Sequence, residues 1–258
     1  MAGPSSSRVM LRGLELLEYL ADARNGCGAK DVAEFLGVHR SSVYRYLSLL
    51  VERGYVERTD VSSYRIGPKI LELANLVLDR MDLREIARPF LIELCQQTDT
   101  TVHLCRLDGA DVVYLDKVET DRSLPLVSRV GGRAPAYCTG VGKALLSHIS
   151  PERRHFILRD VKMEAFTPTT HVTMASLEQD LGGIRECGYA EDRCEHEEGI
   201  SCVAVPIFDF YGEVVASISA TDLSRRLDEK KEVLVLTLQE AAGAISARLG
   251  ADCKEACS

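Results

Sequence analysis

The sequence predicts an α+β chain in two parts: a small helical head closed by a β hairpin, and a larger body of strands with helices on their faces. Three observations carry this. In the first 66 residues, three stretches of helical periodicity are separated at Asn25-Gly26-Cys27-Gly28 and at Gly37, and a strand–turn–strand pattern follows the third. Further on, Asp108-Gly109 and Tyr211-Gly212 each divide two strand-like runs, as hairpin turns do. Helical segments precede, separate and follow those runs.

Element by element, Met1 to Arg8 is small and polar and reads as a frayed tail. Val9 to Ala21 carries apolar residues at 14, 17, 20 and 21, one helical face. A second helix spans Ala29 to Leu36 and stops at Gly37, where glycine accepts a left-handed backbone without penalty. A third spans Arg40 to Arg53, with Val43, Leu47 and Leu50 as its buried stripe. Its other face presents Ser41, Tyr44, Arg45 and Ser48, with Arg40 and Ser42 in the first turn. A tight turn between the last two helices is the signature of a helix-turn-helix, and the hairpin Gly54–Arg58 and Tyr64–Ile66 adds a wing. On such a head the third helix enters the major groove of DNA. Its first-turn N–H groups and serines meet phosphate, and Arg45 forks onto guanine. Arg58 and Arg65 flank the wing tip, in reach of the minor groove or the backbone. The competing reading is an ordinary solvated helix face, and a winged head can also bind protein.

Pro68 to Arg84 reads as one helix, too apolar at Ile70, Leu71, Leu73, Ala74, Leu76, Val77 and Leu78 to stand alone. It packs either on its copy in a second subunit or on its own head. In the body, helices are expected over Ile86–Thr98, Gly140–Ile149, Leu177–Cys187 and Asp228–Leu249. Strands are expected over Thr100–Leu107, Asp111–Val118, Leu124–Val130, Ser201–Asp209 and Glu213–Thr221. The resulting division is a head over 1–67, a linker helix over 68–84 and a body over 85–258.

Composition sets outer limits. With 258 residues, 46% of them apolar, the chain can bury real cores, and no apolar run reaches membrane-span length. No secretory leader is evident, and nine cysteines without a CxxC pair suit reduced thiols in a cytoplasm. The net charge of −8 is uneven: residues 1–66 hold nine Lys/Arg against eight Asp/Glu, the rest 22 against 31. A near-neutral head binds DNA only if its basic side chains share a face.

In order and spacing, the residues resemble the IclR family of bacterial transcription regulators over nearly the whole chain. The matching head stretches are Arg12-Gly13-Leu14-Glu15-Leu16-Leu17, Val32-Ala33-Glu34-Phe35-Leu36-Gly37, Ser41-Ser42-Val43-Tyr44-Arg45-Tyr46-Leu47, Gly54-Tyr55-Val56 and Tyr64-Arg65-Ile66-Gly67. In the body they are Thr139-Gly140-Val141-Gly142-Lys143-Ala144-Leu145, Gly188-Tyr189-Ala190-Glu191-Asp192 and Glu198 through Ile207. The resemblance implies a GAF-like effector-binding domain, a homodimer or a dimer of dimers, double-stranded operator DNA, and a small carboxylate effector such as a sugar acid, keto acid or aromatic acid. It assigns the acid group to the backbone amides of Gly140 and Val141, and polar pocket positions to Asp192, Cys202, Ser219 and Thr221. Leu126, Ala134 and Tyr137 line the remainder. Where the family commonly has Asp-x-Glu-Glu, this chain has Asp192-Arg193-Cys194-Glu195, and Thr221 stands where serine is frequent. Tyr114-Leu115-Asp116-Lys117 with Gly132-Arg133-Ala134-Pro135 leans toward the branch that senses keto-deoxy sugar acids. Read locally, Gly140-Val141-Gly142 is also an ordinary glycine-rich helix start, Asp192 a loop cap and Cys202 a buried thiol.

Two rivals weigh less. Cys194, His196 and Cys202 invite a thiol nucleophile, but no oxyanion hole or orienting acid accompanies them. Cys187, Cys194, His196 and Cys202 include four soft ligands, but their spacing fits no compact zinc pattern. The expectation is a regulator, not an enzyme, with no cofactor and no metal.

Overall fold

The computed structural model describes residues 4–23, 26–59, 63–78, 82–121 and 126–251. The chain divides into two compact units, Met1–Met81 and Asp82–Ser258. The first holds α1 (Pro4–Asp22), β1 (Cys27–Gly28), α2 (Ala29–Leu36), α3 (Arg40–Glu52), β2 (Val56–Arg58), β3 (Ser63–Ile66) and α4 (Lys69–Leu78). α1 starts inside the stretch read as a tail; a proline at a helix start gives up only an N–H that would have no helical partner. Its buried face is also turned from the expected one. Leu16 and Leu20 are buried with Leu17 beside them, while Leu14 and Ala21 are exposed. Val32, Ala33, Val43, Leu47 and Tyr46 complete that core, and Leu50 packs at its edge. Gly37 takes φ 61°, ψ 38° and closes α2 onto the carbonyls of Ala33 and Glu34, which sets the tight turn into α3.

The wing is a three-stranded antiparallel sheet in the order β1-β3-β2. β1 was not foreseen: two residues read as a helix break pair with Tyr64 and Ser63. The wing tip, residues 60–62, lies outside the described residues. α4 covers only part of the expected linker helix. Asp82 starts a separate helix by accepting the N–H groups of Arg84 and Glu85, so no single helix runs to Arg84. Leu71 and Leu73 of α4 are exposed and so are not spent on the head. The expected roles of Ala74, Leu76, Val77 and Leu78 lie outside the described side chains.

The second unit holds α5 (Leu83–Thr98), β4 (Thr101–Asp108), β5 (Asp111–Val118), β6 (Arg133–Pro135), a 3-10 turn (Ala136–Cys138), α6 (Gly140–Ser147), α7 (Pro151–Leu158), α8 (Met174–Cys187), β7 (Ala190–Arg193), β8 (Ile200–Phe208), β9 (Val214–Leu223) and α9 (Ser224–Arg248). The strands form one antiparallel sheet in the order β6-β5-β4-β9-β8-β7. α5 and α9 pack together and on the sheet; α6 packs on β7, β8 and β9, with α8 outside it. Val141, Ala144 and Leu145 of α6 share a core with Cys105, Ala190 and Ala204, which fixes the sheet face that α6 covers. No strand forms over 126–130, part of the expected strand Leu124–Val130. The carbonyls of Leu126 and Ser128 accept from Lys117 Nζ at 3.4 and 2.8 Å, so a side chain takes the place of a ladder there. The edge strand is β6 instead, and α7 and β7 were not foreseen. Among the described residues, no helix is long and apolar enough to cross a membrane.

Candidate functional site

The head presents one outward surface. Arg40, Ser41, Tyr44, Arg45 and Ser48 of α3 are exposed, Tyr44 by 52%, and Ser42 is half-buried beside them. These residues share one side of α3 because Val43, Tyr46 and Leu47 take the other. His39 opens α3 in extended backbone and no side chain caps that end; the Ser42 N–H bonds the His39 carbonyl at 2.9 Å, which leaves the N–H groups of Arg40 and Ser41 for an anion. Arg58 is exposed at the end of β2, with its guanidinium 6.0 Å from the Tyr64 ring. Arg65 differs from expectation. It sits opposite Glu57 across the β2–β3 ladder and forms an ion pair with it. At such exposure the pair is weak, at most about 1 kcal/mol, so phosphate can displace it.

In the body, strand register brings the polar positions together. Opposite residues in antiparallel strands share a face. Asp192 pairs with Cys202, Cys202 with Thr221 and Thr221 with Thr101, so these four form one row across β7, β8, β9 and β4. The next row on the same face is Ala190, Ala204, Ser219, His103 and Lys117. At about 4.8 Å per strand the first row spans roughly 14 Å.

The start of α6 abuts this wall. A Cβ on Gly140 would lie 2.5 Å from Cys202 Sγ, so only glycine fits. Thr139 caps the helix by accepting the Gly142 N–H at 3.3 Å. The N–H groups of Gly140 and Asp192 point at the Cys202 sulfur, but burial prevails and pushes that thiol well up, leaving it protonated. Burial likewise pushes the Asp192 carboxyl up to about 7, against the N–H of Glu195, which it accepts at 2.7 Å, and that of His196. His103, absent from the expected site, is buried and held neutral, its pKa lowered to about 3 by burial and by Lys117. Its Nε2 lies 2.9 Å from Ser128 Oγ, and its Nδ1 lies 3.4 and 3.5 Å from Thr221 Oγ1 and Ser219 Oγ. Thr101, also absent from it, is buried with Oγ1 lacking a hydrogen-bond partner among the described residues. The arrangement can receive an anion at the α6 start and hydroxyl or carbonyl groups along the two rows.

The remaining expected lining residues are distributed differently. Ala134 and Val141 are buried in the core around α6 and Leu126 is half-buried. Tyr137 is 2% exposed, and its hydroxyl donates to the Glu164 carbonyl at 2.9 Å while accepting the Glu164 N–H at 2.8 Å. Only its ring is left to meet a ligand. Cys194 Sγ lies 2.9 Å from Ser224 Oγ and 3.5 Å from Ser201 Oγ, while the His196 ring packs at a tilt against Phe166. These contacts do not join the two as nucleophile and base.

Comparison with known proteins settles the family. Residues 9–60 match the IclR helix-turn-helix domain, and residues 75–247 match the C-terminal domain of the bacterial transcriptional regulator IclR. The chain belongs to the IclR family. The IclR-family regulator KdgR of Escherichia coli is 34% identical over 249 residues, 96% of this chain and 94% of that protein. The crystal structure of the Agobacterium tumefaciens repressor BlcR superposes with a TM-score of 0.82 at 27% identity, covering 95% of this chain and 98% of BlcR. An IclR homologue from Microbacterium hydrocarbonoxydans, solved with 4-hydroxybenzoate, gives a TM-score of 0.60 at 26% identity, covering 93% and 98%. The IclR fold is therefore present in both parts, a helix-turn-helix head and an α/β body of the effector-binding type.

Proposed function

We propose that this IclR-family chain represses a catabolic operon, reading a pseudo-palindromic operator through two copies of its head, as a homodimer or a dimer of dimers in the cytoplasm. A small organic acid in the body controls it. The observation that carries the reading is the exposed α3 face, where Arg40, Ser41, Tyr44 and Arg45 stand together on an uncapped helix start. The BlcR likeness supports repression, and the 4-hydroxybenzoate bound by the Microbacterium homologue supports an acid effector. Gly140 and Val141 hold the acid group, and Asp192, Cys202, Ser219 and Thr221 contact the rest, with His103 and Thr101 extending that wall.

Arg45→Ala is expected to weaken operator binding by about 1–3 kcal/mol, roughly 5- to 150-fold, while the body melts as in the parent protein. Fluorescence anisotropy on a labelled upstream fragment at several salt concentrations reads both this loss and the salt slope that phosphate contacts impose. Unchanged affinity would remove Arg45 from the contacts, and salt-insensitive binding would favour a protein partner for the head. Transcription from the same fragment separates repression from activation.

Asp192 gives the effector site a pH signature. Below about 7 its carboxyl is protonated and donates to a bound acid; above it, the carboxylate repels one. His103 is neutral throughout the range from 6 to 8, and Lys143 stays charged. Affinity for an acid effector found by a thermal-shift screen should fall as pH rises through 7, by up to about tenfold per unit. Calorimetry on Asp192→Asn should give a flat profile; a fall as steep as the parent's would place the titrating group elsewhere.

A further inference from the structure

A second cluster lies beside the effector wall. His171 precedes α8, Asp180 is on α8, and Glu195 is in the β7–β8 loop. His171 Nε2 is 3.4 Å from Asp180 Oδ2 and 3.8 Å from Glu195 Oε2, and one ligand atom from each of the three falls within 4.8 Å of the others. Glu195 is 4% exposed. Its Oε1 receives Lys143 Nζ at 2.5 Å and the Arg193 N–H at 3.3 Å, but its buried Oε2 has no hydrogen-bond partner among the described residues. We propose that His171, Asp180 and Glu195 bind a divalent transition cation, Mn2+ or Zn2+, through one imidazole nitrogen and two carboxylates.

Lys143 is the evident competitor, and its placement limits what it supplies. It bonds Asp180 Oδ2 and Glu195 Oε1, so one positive charge serves two carboxylates and leaves Oε2 and the imidazole facing each other. A protonated His171 does not repair this, because 3.8 Å is beyond hydrogen-bond reach. Bonds of about 2.0–2.2 Å to one metal set neighbouring ligand atoms roughly 3.0–3.5 Å apart, close to the spacing present. Imidazole with carboxylate oxygen is a donor set that suits these ions. A cavity of about 480 Å3 lined by His171, Asp180, Gln179 and Glu191 adjoins the cluster, giving an entry path and room for water ligands. The site also bears on the effector wall, since the Glu195 N–H is donated to Asp192. Cation occupancy thus acts on the loop that follows β7 and, through that hydrogen bond, on Asp192 at the end of the strand.

Mn2+ is the probe, because the chain's nine cysteines capture Zn2+ far better than Mn2+. Titration of the full chain, followed by the EPR signal of free Mn2+, should show one site per chain. His171→Ala, at a partly exposed position, should weaken binding at least tenfold with an unchanged melting temperature, and His171→Gln should do the same. Cys187→Ser, at another residue lining the cavity, should leave it intact. No stoichiometric binding up to millimolar Mn2+, or equal binding by both His171 variants, would overturn the proposal.

Discussion

Lys143→Ala is expected to destabilise the body by about 3–5 kcal/mol, the range for stripping one partner from a buried ion pair. The ammonium is 1% exposed and bonds Asp180 at 2.7 Å and Glu195 at 2.5 Å. Burial acts to lower its pKa, but the two carboxylates outweigh burial and the net shift is upward. Alanine removes the cation and leaves Glu195, 4% exposed, without compensation; Asp180 is partly exposed and contributes less. A double variant separates lost charge from lost packing. Adding Glu195→Gln removes the stranded carboxylate, so Lys143→Ala with Glu195→Gln should be more stable than Lys143→Ala alone. Urea unfolding that follows the body transition measures both. A loss below about 1 kcal/mol in the single variant would mean that water or His171 already compensates Glu195.

The head was more legible than the body, for a reason its residues make plain. α2 and α3 are local structures: a period of 3.6, a glycine after each and a polar outer face are all written in adjacent residues. Even so, the face of α1 was misjudged. Leu14, Leu16, Leu17 and Leu20 offer two overlapping stripes, and only contact with Val32 and Val43 selects the one through Leu16 and Leu20. β1 was invisible because two residues carry no periodicity; its existence depends on Tyr64 and Ser63 across the wing. The linker reading failed at Asp82, where a cap residue inside an apolar pattern marked a new start.

The proposed effector wall was legible only in part. Asp192, Cys202, Ser219 and Thr221 came from family resemblance, whereas Thr101 and His103 carry a signal of their own. In Thr101-Val102-His103-Leu104-Cys105, polar and apolar residues alternate inside a strand that is buried on both faces. What the sequence withholds is register. Only the pairing of β4 with β9 puts Thr101 beside Thr221 and His103 beside Ser219, although 116 or more positions separate them along the chain. The same long-range closure hid His171, Asp180 and Glu195, which no local spacing joins.

Gly142→Ala is expected to cost at least about 3 kcal/mol, against the helix propensity of alanine, which taken alone favours the change by about 1 kcal/mol. Steric conflict decides the sign. A Cβ on Gly142 would lie 2.2 Å from the Ala136 carbonyl oxygen and 2.4 Å from its Cα, both backbone atoms that cannot rotate aside. Relief requires the 3-10 turn to leave α6. That motion would draw on the Thr139 cap, on the Gly140–Cys202 contact and on the Tyr137 hydroxyl that holds Glu164. Gly182→Ala is the internal comparison. It sits inside α8 with nothing within 4 Å of an added Cβ, so the propensity gain of up to about 1 kcal/mol stands unopposed there. The two substitutions should therefore move the urea midpoint of the body in opposite directions, with the head's own transition unmoved. If Gly142→Ala stabilised the body as Gly182→Ala does, α6 would not start against the Ala136 turn. The anion-binding role proposed for Gly140 and Val141 would lose its structural support with it.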